Sequence, residues 1–252
     1  MKTNLFYAIY ILWLRQIKRY FRSKSRIIAS LGQPILFLVA LGFGLSSVFS
    51  AAGGGSYIQF LTPGIIAMSI LFTAIFSGIE IIWDRQFGFL KETLVAPVPR
   101  FITMLGRTLG GATTASFQGI LVLIISLIVG FRPGFVGIIP ALIFMILIAS
   151  IFTALGTAIA AVLEDMQAFQ LIMSFVVMPL FFLSGALFPL NTAPVVLRWI
   201  AFFNPLTYGV DGLRAVLSNA SLYSGWTDAT VLVLIALAFI SLGAWMFNRI
   251  KA

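Results

Sequence analysis

Long apolar runs alternate along this chain with short polar ones, and the runs have the length needed to cross a bilayer. They occupy Ile27 to Phe49, Ile58 to Ile82, Phe101 to Gly130, Gly137 to Leu163, Ala168 to Phe188 and Ala229 to Asn248. A helix crosses the hydrocarbon with about 20 residues, so the pattern predicts six spans. Backbone amides in lipid must be satisfied within their own segment. The spans are therefore expected as helices, with Pro34, Pro63, Pro140 and Pro179 as internal kinks. The fold expected is all-α: one transmembrane domain over residues 1–252, with five spans in 27–188 and the last in 229–252.

The polar intervals predict an orientation. With the N-terminus inside, the cytoplasmic segments hold Lys2, Arg15, Lys18, Arg19, Arg22, Lys24, Arg26, Arg85, Lys91, Arg100, Arg107, Arg249 and Lys251, thirteen of the sixteen basic residues. Only Arg132, Arg198 and Arg214 fall elsewhere. Basic residues collect on the cytoplasmic side, and an even number of spans returns both termini to it. Residues 1–26 then form a cytoplasmic interfacial helix. Arg15, Lys18, Arg19, Arg22 and Arg26 recur on one face, for anionic headgroups, and Tyr10, Trp13, Leu14, Ile17, Tyr20 and Phe21 lie on the other, for the acyl boundary. The apolar run Leu5 to Leu14 leads into this basic cluster, not into a small-residue cleavage site, so it is expected to be retained.

Between the second and third spans stands "WDRQFGFLKETLVAPVPR", Trp83 to Arg100. On a helix starting near Asp84, Phe87, Leu90 and Leu94 share one stripe, with Glu92 opposite. Asp84 can cap that helix, and Pro97 and Pro99 stop it, since proline lacks a donor and disfavours helix in the residue before it. The pattern predicts a short amphipathic helix at 84–99 ending in a stiff corner. Residues 189–228 are too apolar for an ordinary loop and too short to span. Short re-entrant or interfacial helices meet both conditions, with Asn204 and Pro205 at the turn between them.

Composition narrows the chemistry. Sixty-one per cent of residues are hydrophobic and 9% are charged, against about 25% charged in soluble domains. The net charge of +9 needs no nucleic acid to explain it, because insertion alone gathers basic residues on one side. With no cysteine and no histidine, thiolate metal sites, cysteine nucleophiles and the commonest acid–base group are absent. No catalytic, cofactor or metal site is expected. Adjacent Glu164 and Asp165 do not face each other on a helix, and Asp165 reads as the N-cap of the fifth span. Glu80, within a turn of the inner boundary, can reach water or a cation such as Arg85. Gly106, Gly110 and Thr114, like Gly156 and Ala160, repeat every fourth residue as ridges for close helix packing. Phe169, Phe175, Phe181 and Phe182 along the fifth span either line a path for an amphiphile or face lipid and core.

Three passages, "FLKETLVAPVPR", "FFLSGALFPL" and "NPLTYGVDGLR", together with the span pattern, resemble type II ATP-binding-cassette exporter permeases over nearly the whole chain. The subgroup they most resemble is the daunorubicin-resistance and nodulation-factor export permeases. The resemblance implies that 84–99 is a coupling helix seated in a cytoplasmic ATPase subunit. Phe87, Leu90 and Leu94 would dock, Arg85, Lys91 and Glu92 would fix register, Asp84 would touch the partner as well as cap the helix, and the corner of Pro97, Pro99 and Arg100 would pass the push into the third span. It implies that 189–228 is a pair of short extracytoplasmic helices that closes the outer end, with Asn204 and Pro205 at the turn between them; Asp211 and Arg214, three apart and able to pair, read either as a stabilising surface pair or as a gate that opens when the two permeases separate. No G-x-x-x-x-G-K-[ST] phosphate loop occurs, and "LGRTLGG" lacks the lysine. ATP and Mg would therefore belong to a separate partner, with two ATPase and two permease chains, identical or different, in the cytoplasmic (inner) membrane of a prokaryote. The expected function is export of a hydrophobic or amphiphilic compound, a drug, lipid or lipid-linked glycan, by alternating access at a permease dimer. The alternative is an ion-coupled secondary transporter or channel without an ATPase.

Overall fold

The computed structural model describes residues 5–51, 53, 55–89, 98–163 and 165–248. Among them all regular structure is helical: α1 (Leu5–Arg22), α2 (Lys24–Gly44), α3 (Ser46–Ala51), α4 (Tyr57–Phe76), α5 (Ile79–Gln86), α6 (Arg100–Val129), α7 (Ile138–Val162), α8 (Met166–Phe182), α9 (Val195–Phe203), α10 (Pro205–Ser218) and α11 (Gly225–Asn248). Five stretches of helix are long and apolar enough to cross a membrane: Lys24–Gly44, Tyr57–Gln86, Arg100–Val129, Phe135–Val162 and Gly225–Phe247. They match five of the six predicted runs. The sixth run, expected over Ala168 to Phe188, forms α8 and stops at Phe182, about 26 Å at 1.5 Å per residue.

Two features explain why α8 is short and irregular. Met173–Val177 widen to a π turn just before Pro179, whose ring has no amide to continue the α ladder. At the other end Gly185 sits at φ +76°, a backbone state that turns the chain back so that Leu190 packs on it. Pro34 and Pro63 lie inside α2 and α4 as expected, whereas Pro140 falls in the first turn of α7, where its missing amide costs little. Gly130, at φ +114°, ends α6 as a left-handed cap.

The centre of the bundle is the continuous α4–α5 stretch, with 72% of the residues in its apolar window buried, against 17% for α2 at the periphery. It lies between α6 and α7, with α2 and α10 on its flanks, and α11 covers α7. Close approach depends on small residues, as their periodicity predicts. Gly78, at the joint between α4 and α5, is back to back with Gly156 of α7, and a Cβ on Gly156 would lie 2.6 Å from the carbonyl oxygen of Ile75. Gly106 and Gly110 on α6 receive α1: a Cβ on the first would lie 2.8 Å from Leu12 Cβ, and on the second 2.5 Å from Gln16 Cβ.

Candidate functional site

Glu80 and Asp84 are four apart on α5 and so share a face, with Trp83 beside them. Both carboxylates are buried, at 5% and 4% exposure, a position that an unpaired charge does not hold. Arginines from three other helices, α1, α2 and α6, surround them. Arg107 Nη2 of α6 donates to Asp84 Oδ2 at 2.6 Å, and Arg15 Nη2 of α1 to Asp84 Oδ1 at 3.2 Å. Arg19 Nη1 lies 3.6 Å from Glu80 Oε2 and 3.8 Å from Asp84 Oδ1, and Arg26 Nη1 donates to Glu80 Oε1 at 3.4 Å. The guanidinium groups of Arg19 and Arg26 also stand over the Trp83 ring, 5.6 and 5.9 Å from its centroid.

This network corrects several expectations. No helix starts at Asp84: α5 runs from Ile79 through it to Gln86, and the Asp84 carboxylate points inward to Arg107, not outward to a partner protein. Glu80 meets Arg19 and Arg26, not Arg85. Arg85 turns the other way and donates to Leu163 O at 2.7 Å and Ala161 O at 2.8 Å, the carbonyls that α7 leaves unpaired at its end. Arg15, Arg19 and Arg26, expected among headgroups, face these two carboxylates, because a buried carboxylate needs a cation more than a solvated cation needs a lipid.

The register of α1 brings its arginines there. Besides its fit onto Gly106 and Gly110, Trp13 Nε1 donates to Thr113 Oγ1 at 3.0 Å and the Tyr20 hydroxyl to Gln118 Oε1 at 2.7 Å. Burial pushes the Tyr20 phenol up to about 12, so it keeps its proton and its role as donor. Phe6, Tyr7, Tyr10 and Ile11 stay exposed along the helix.

Beyond the network the chain leaves α5 through Phe87, exposed, and Gly88, at φ +81°. Leu90, Lys91, Glu92, Leu94 and Pro97 lie outside the described residues. The chain is described again from Val98, and Pro99 stands as the N-cap of α6, which Arg100 begins. The segment between Phe87 and Pro99 thus leaves from α5 and returns to α6, and Asp84 and Arg107 join those two helices at its base.

At the far end of the bundle Asn204 joins α9 to α10, as the sequence predicts for the Asn-Pro pair. Its Oδ1 accepts from Leu206 N at 3.0 Å while its Nδ2 donates to Leu180 O at 2.6 Å, tying the turn to α8. Asp211 and Arg214 form no salt bridge with each other. Asp211 accepts the amides of Leu222 and Tyr223 at 2.8 Å each, and Arg214 donates to Phe60 O and Gly185 O with its guanidinium 3.9 Å from the Phe60 ring centroid. Backbone groups at helix ends and turns satisfied each charge before the neighbouring side chain did. Both residues border a cavity of about 230 Å³ with Asn191 and Ser184.

The phenylalanines of α8 separate. Phe181 is 1% exposed, stacked edge-on with Phe37 and in contact with Phe72 and Phe182, which places it in the core and not along an open path. Phe169 is likewise buried, whereas Phe175 and Phe182 are exposed. Arg107 and Trp83 are the site residues that sequence did not single out. The spacing of Glu80, Trp83 and Asp84 on one helical face was the available signal.

Comparison with known proteins agrees with this architecture. The family model described as ABC-2 type transporter matches residues 7–218. Nodulation protein J of Rhizobium leguminosarum bv. viciae is 30% identical over 194 residues, covering 75% of this chain and 74% of that protein. The putative transport permease ycf38 of Porphyra purpurea is 31% identical over 234 residues, 91% of this chain and 79% of its own. The inner membrane transport permease YadH of Escherichia coli strain K12 is 28% identical over 210 residues, 82% and 81%. A multi-pass helical bundle, matched over most of its length by transport permeases, makes this chain a member of the ABC-2 type transporter permease family and a membrane transport subunit.

Proposed function

We propose that this chain is the transmembrane subunit of an ATP-driven exporter in the inner membrane of a prokaryote. Two permease chains, identical or different, work with two copies of a cytoplasmic nucleotide-hydrolysing protein that carries the ATP and Mg, and alternating access at the permease dimer moves a hydrophobic or amphiphilic compound outward. In this reading α8 completes six spans, both termini are cytoplasmic, and α9 and α10 re-enter the outer leaflet. The segment from Phe87 to Pro99 is the docking element. Leu90 and Leu94 seat in the ATPase with Phe87, while Lys91 and Glu92 set register; Pro97 and Pro99 stiffen the return to Arg100 and α6.

The observation that supports this most is the ion network at the base of that segment. A loop that only connected two spans would need no such brace. Here four arginines hold α5 by two buried carboxylates, and Arg85 ties the same helix to the end of α7. A push on the segment therefore reaches α1, α6 and α7 together. The test is a mild-detergent pull-down of the tagged chain from its native membrane, with mass spectrometry of what stays bound. A protein bearing a phosphate-binding loop is expected in about equal amount, lost with Leu90→Asp and uncoupled or lost with Glu92→Ala. A chain that comes down alone, and that transports on an ion gradient in vesicles, would overturn the exporter in favour of a secondary carrier.

A further inference from the structure

A cavity of about 250 Å³ lies beside the ion network, between α1, α2, α4, α5 and α6. Its two ends differ in chemistry. Arg26, Glu80, Trp83 and Tyr20 line one end, and Met68 and Phe72 the other. From Glu80 back to Met68 the helix runs about 18 Å at 1.5 Å per residue, roughly the depth of one leaflet of a hydrocarbon layer about 30 Å thick. Several hydroxyls along this wall are already used: Ser69 donates to Ile66 O, Ser77 to Ala74 O and Thr114 to Gly111 O. With these hydroxyls used, the lining away from the charged end is mainly apolar, with Gln16, Gln33 and Thr73 among its other polar side chains. Ala29 and Gln33 of α2 and Phe76 of α4 border the cavity and are exposed, which gives it a lateral mouth.

The charged end is unbalanced. Among the described residues, the carboxylates that Arg15, Arg19, Arg26 and Arg107 pair with are Glu80 and Asp84, a surplus of two positive charges, and Arg26 brings part of it to the cavity wall. Glu80 Oε2 is buried yet accepts no hydrogen bond, its nearest cation being Arg19 at 3.6 Å. Buried acceptors are normally satisfied. A surplus cation beside an unmet acceptor suits a head group with a phosphate and, next to it, an O–H or N–H donor.

We infer that this cavity binds a phospholipid of the leaflet at the network's end of the bundle, with its phosphate on Arg26, a hydroxyl or ammonium of its head group on Glu80 Oε2, and an acyl chain along Met68, Phe72 and Phe76. Ethanolamine and glycerol head groups supply both the phosphate and the donor. A choline head supplies the phosphate alone, so the site discriminates against it. Occupancy is a property of this chain and does not depend on the direction of transport.

The test is native mass spectrometry of the purified full-length permease, titrated with short-chain phosphatidylethanolamine, phosphatidylglycerol and phosphatidylcholine. The first two are expected to bind, with phosphatidylcholine roughly tenfold weaker, the scale of one hydrogen bond to a charged group. Arg26→Gln should weaken the first two by a similar factor, and Glu80→Met should remove the preference between heads. Because Glu80→Met also unbalances the network, Ala29→Trp serves as an independent variant that fills the mouth without touching any charge, and it should abolish binding. Equal binding of all three lipids, undiminished binding in Ala29→Trp, or full competition by chain-free glycerophosphoethanolamine would overturn the inference.

Discussion

Arg107 Nη2 lies 2.6 Å from Asp84 Oδ2, and the two side chains are only 4% and 5% exposed. The pair joins the last turn of α5 to the second turn of α6, across the segment that leaves one helix and returns in the other. Arg107 depends on it almost alone, since its Nε and Nη1 are buried without partners.

Removing Asp84 alone should therefore cost more than removing both. Asp84→Leu strands a buried guanidinium, a change that typically costs about 3–5 kcal/mol. Arg107→Met should cost less, because Arg15 and Arg19, which are partly exposed, still reach Asp84. The double variant replaces the pair by apolar groups of similar size and should recover most of the loss. Thermal unfolding of the four proteins in one detergent checks the order; a double variant no more stable than Asp84→Leu would contradict it.

The α4–α7 contact offers a comparison within one residue type. Gly156→Ala puts a Cβ 2.6 Å from the carbonyl oxygen of Ile75, where no flexible side chain can move aside, whereas Gly32→Ala on α2 meets nothing within 4 Å. The first should lower stability by about 1–3 kcal/mol through overpacking. The second should be neutral or slightly stabilising, since alanine is the better helix former. Equal melting temperatures for the two variants would show that the helices separate to accept the methyl group.

Local chemistry was legible in the sequence, and long-range pairing was not. Asp165 as a cap, Asn204-Pro205 as a turn and the Gly106 and Gly110 ridge each follow from neighbours within a turn or two of helix, and each stands in the structure. The partners of Glu80 and Asp84 could not be read that way. Sixteen basic residues compete for seven acidic ones, and which arginine reaches which carboxylate depends on how α1 seats on α6. Asp211 and Arg214 failed for a related reason: side-chain spacing on one helix says nothing of the carbonyls and amides that other segments bring to it.

Asp165 and Asn204 cap helices in different surroundings and should fail differently. Asp165 is exposed and accepts one bond, from Ala168 N at 2.6 Å, so Asp165→Ala should cost about 1 kcal/mol and Asp165→Ser should restore most of it. Asn204 is buried and also donates to Leu180 O, so Asn204→Ala loses the cap and takes the donor from a partly buried carbonyl, about 2 kcal/mol. Asn204→Asp keeps the acceptor but not the donor and should fall between wild type and alanine. Loss of transport in Asp165→Ala at unchanged melting temperature would show that this residue does more than cap.

Arg85 separates bracing from docking. Its guanidinium forks onto the carbonyls of Leu163 and Ala161 at 2.7 and 2.8 Å, one nitrogen to each, a geometry that arginine's rigid planar fork matches directly and that lysine's single, shorter-reaching nitrogen matches less well. Arg85→Lys keeps the charge but should leave one carbonyl at the end of α7 without its donor. If Arg85 braces, this variant still binds the proposed ATPase partner in the pull-down, melts lower by an amount matching about 1–2 kcal/mol, and transports less substrate for each ATP that the proposed partner hydrolyses, because motion of α5 no longer reaches α7 in full. If Arg85 instead touches the partner, as its place beside the loop first implied, the charge-preserving variant should weaken ATPase binding with little change in melting temperature. A lowered melting temperature together with retained binding would therefore assign Arg85 to force transmission within the permease.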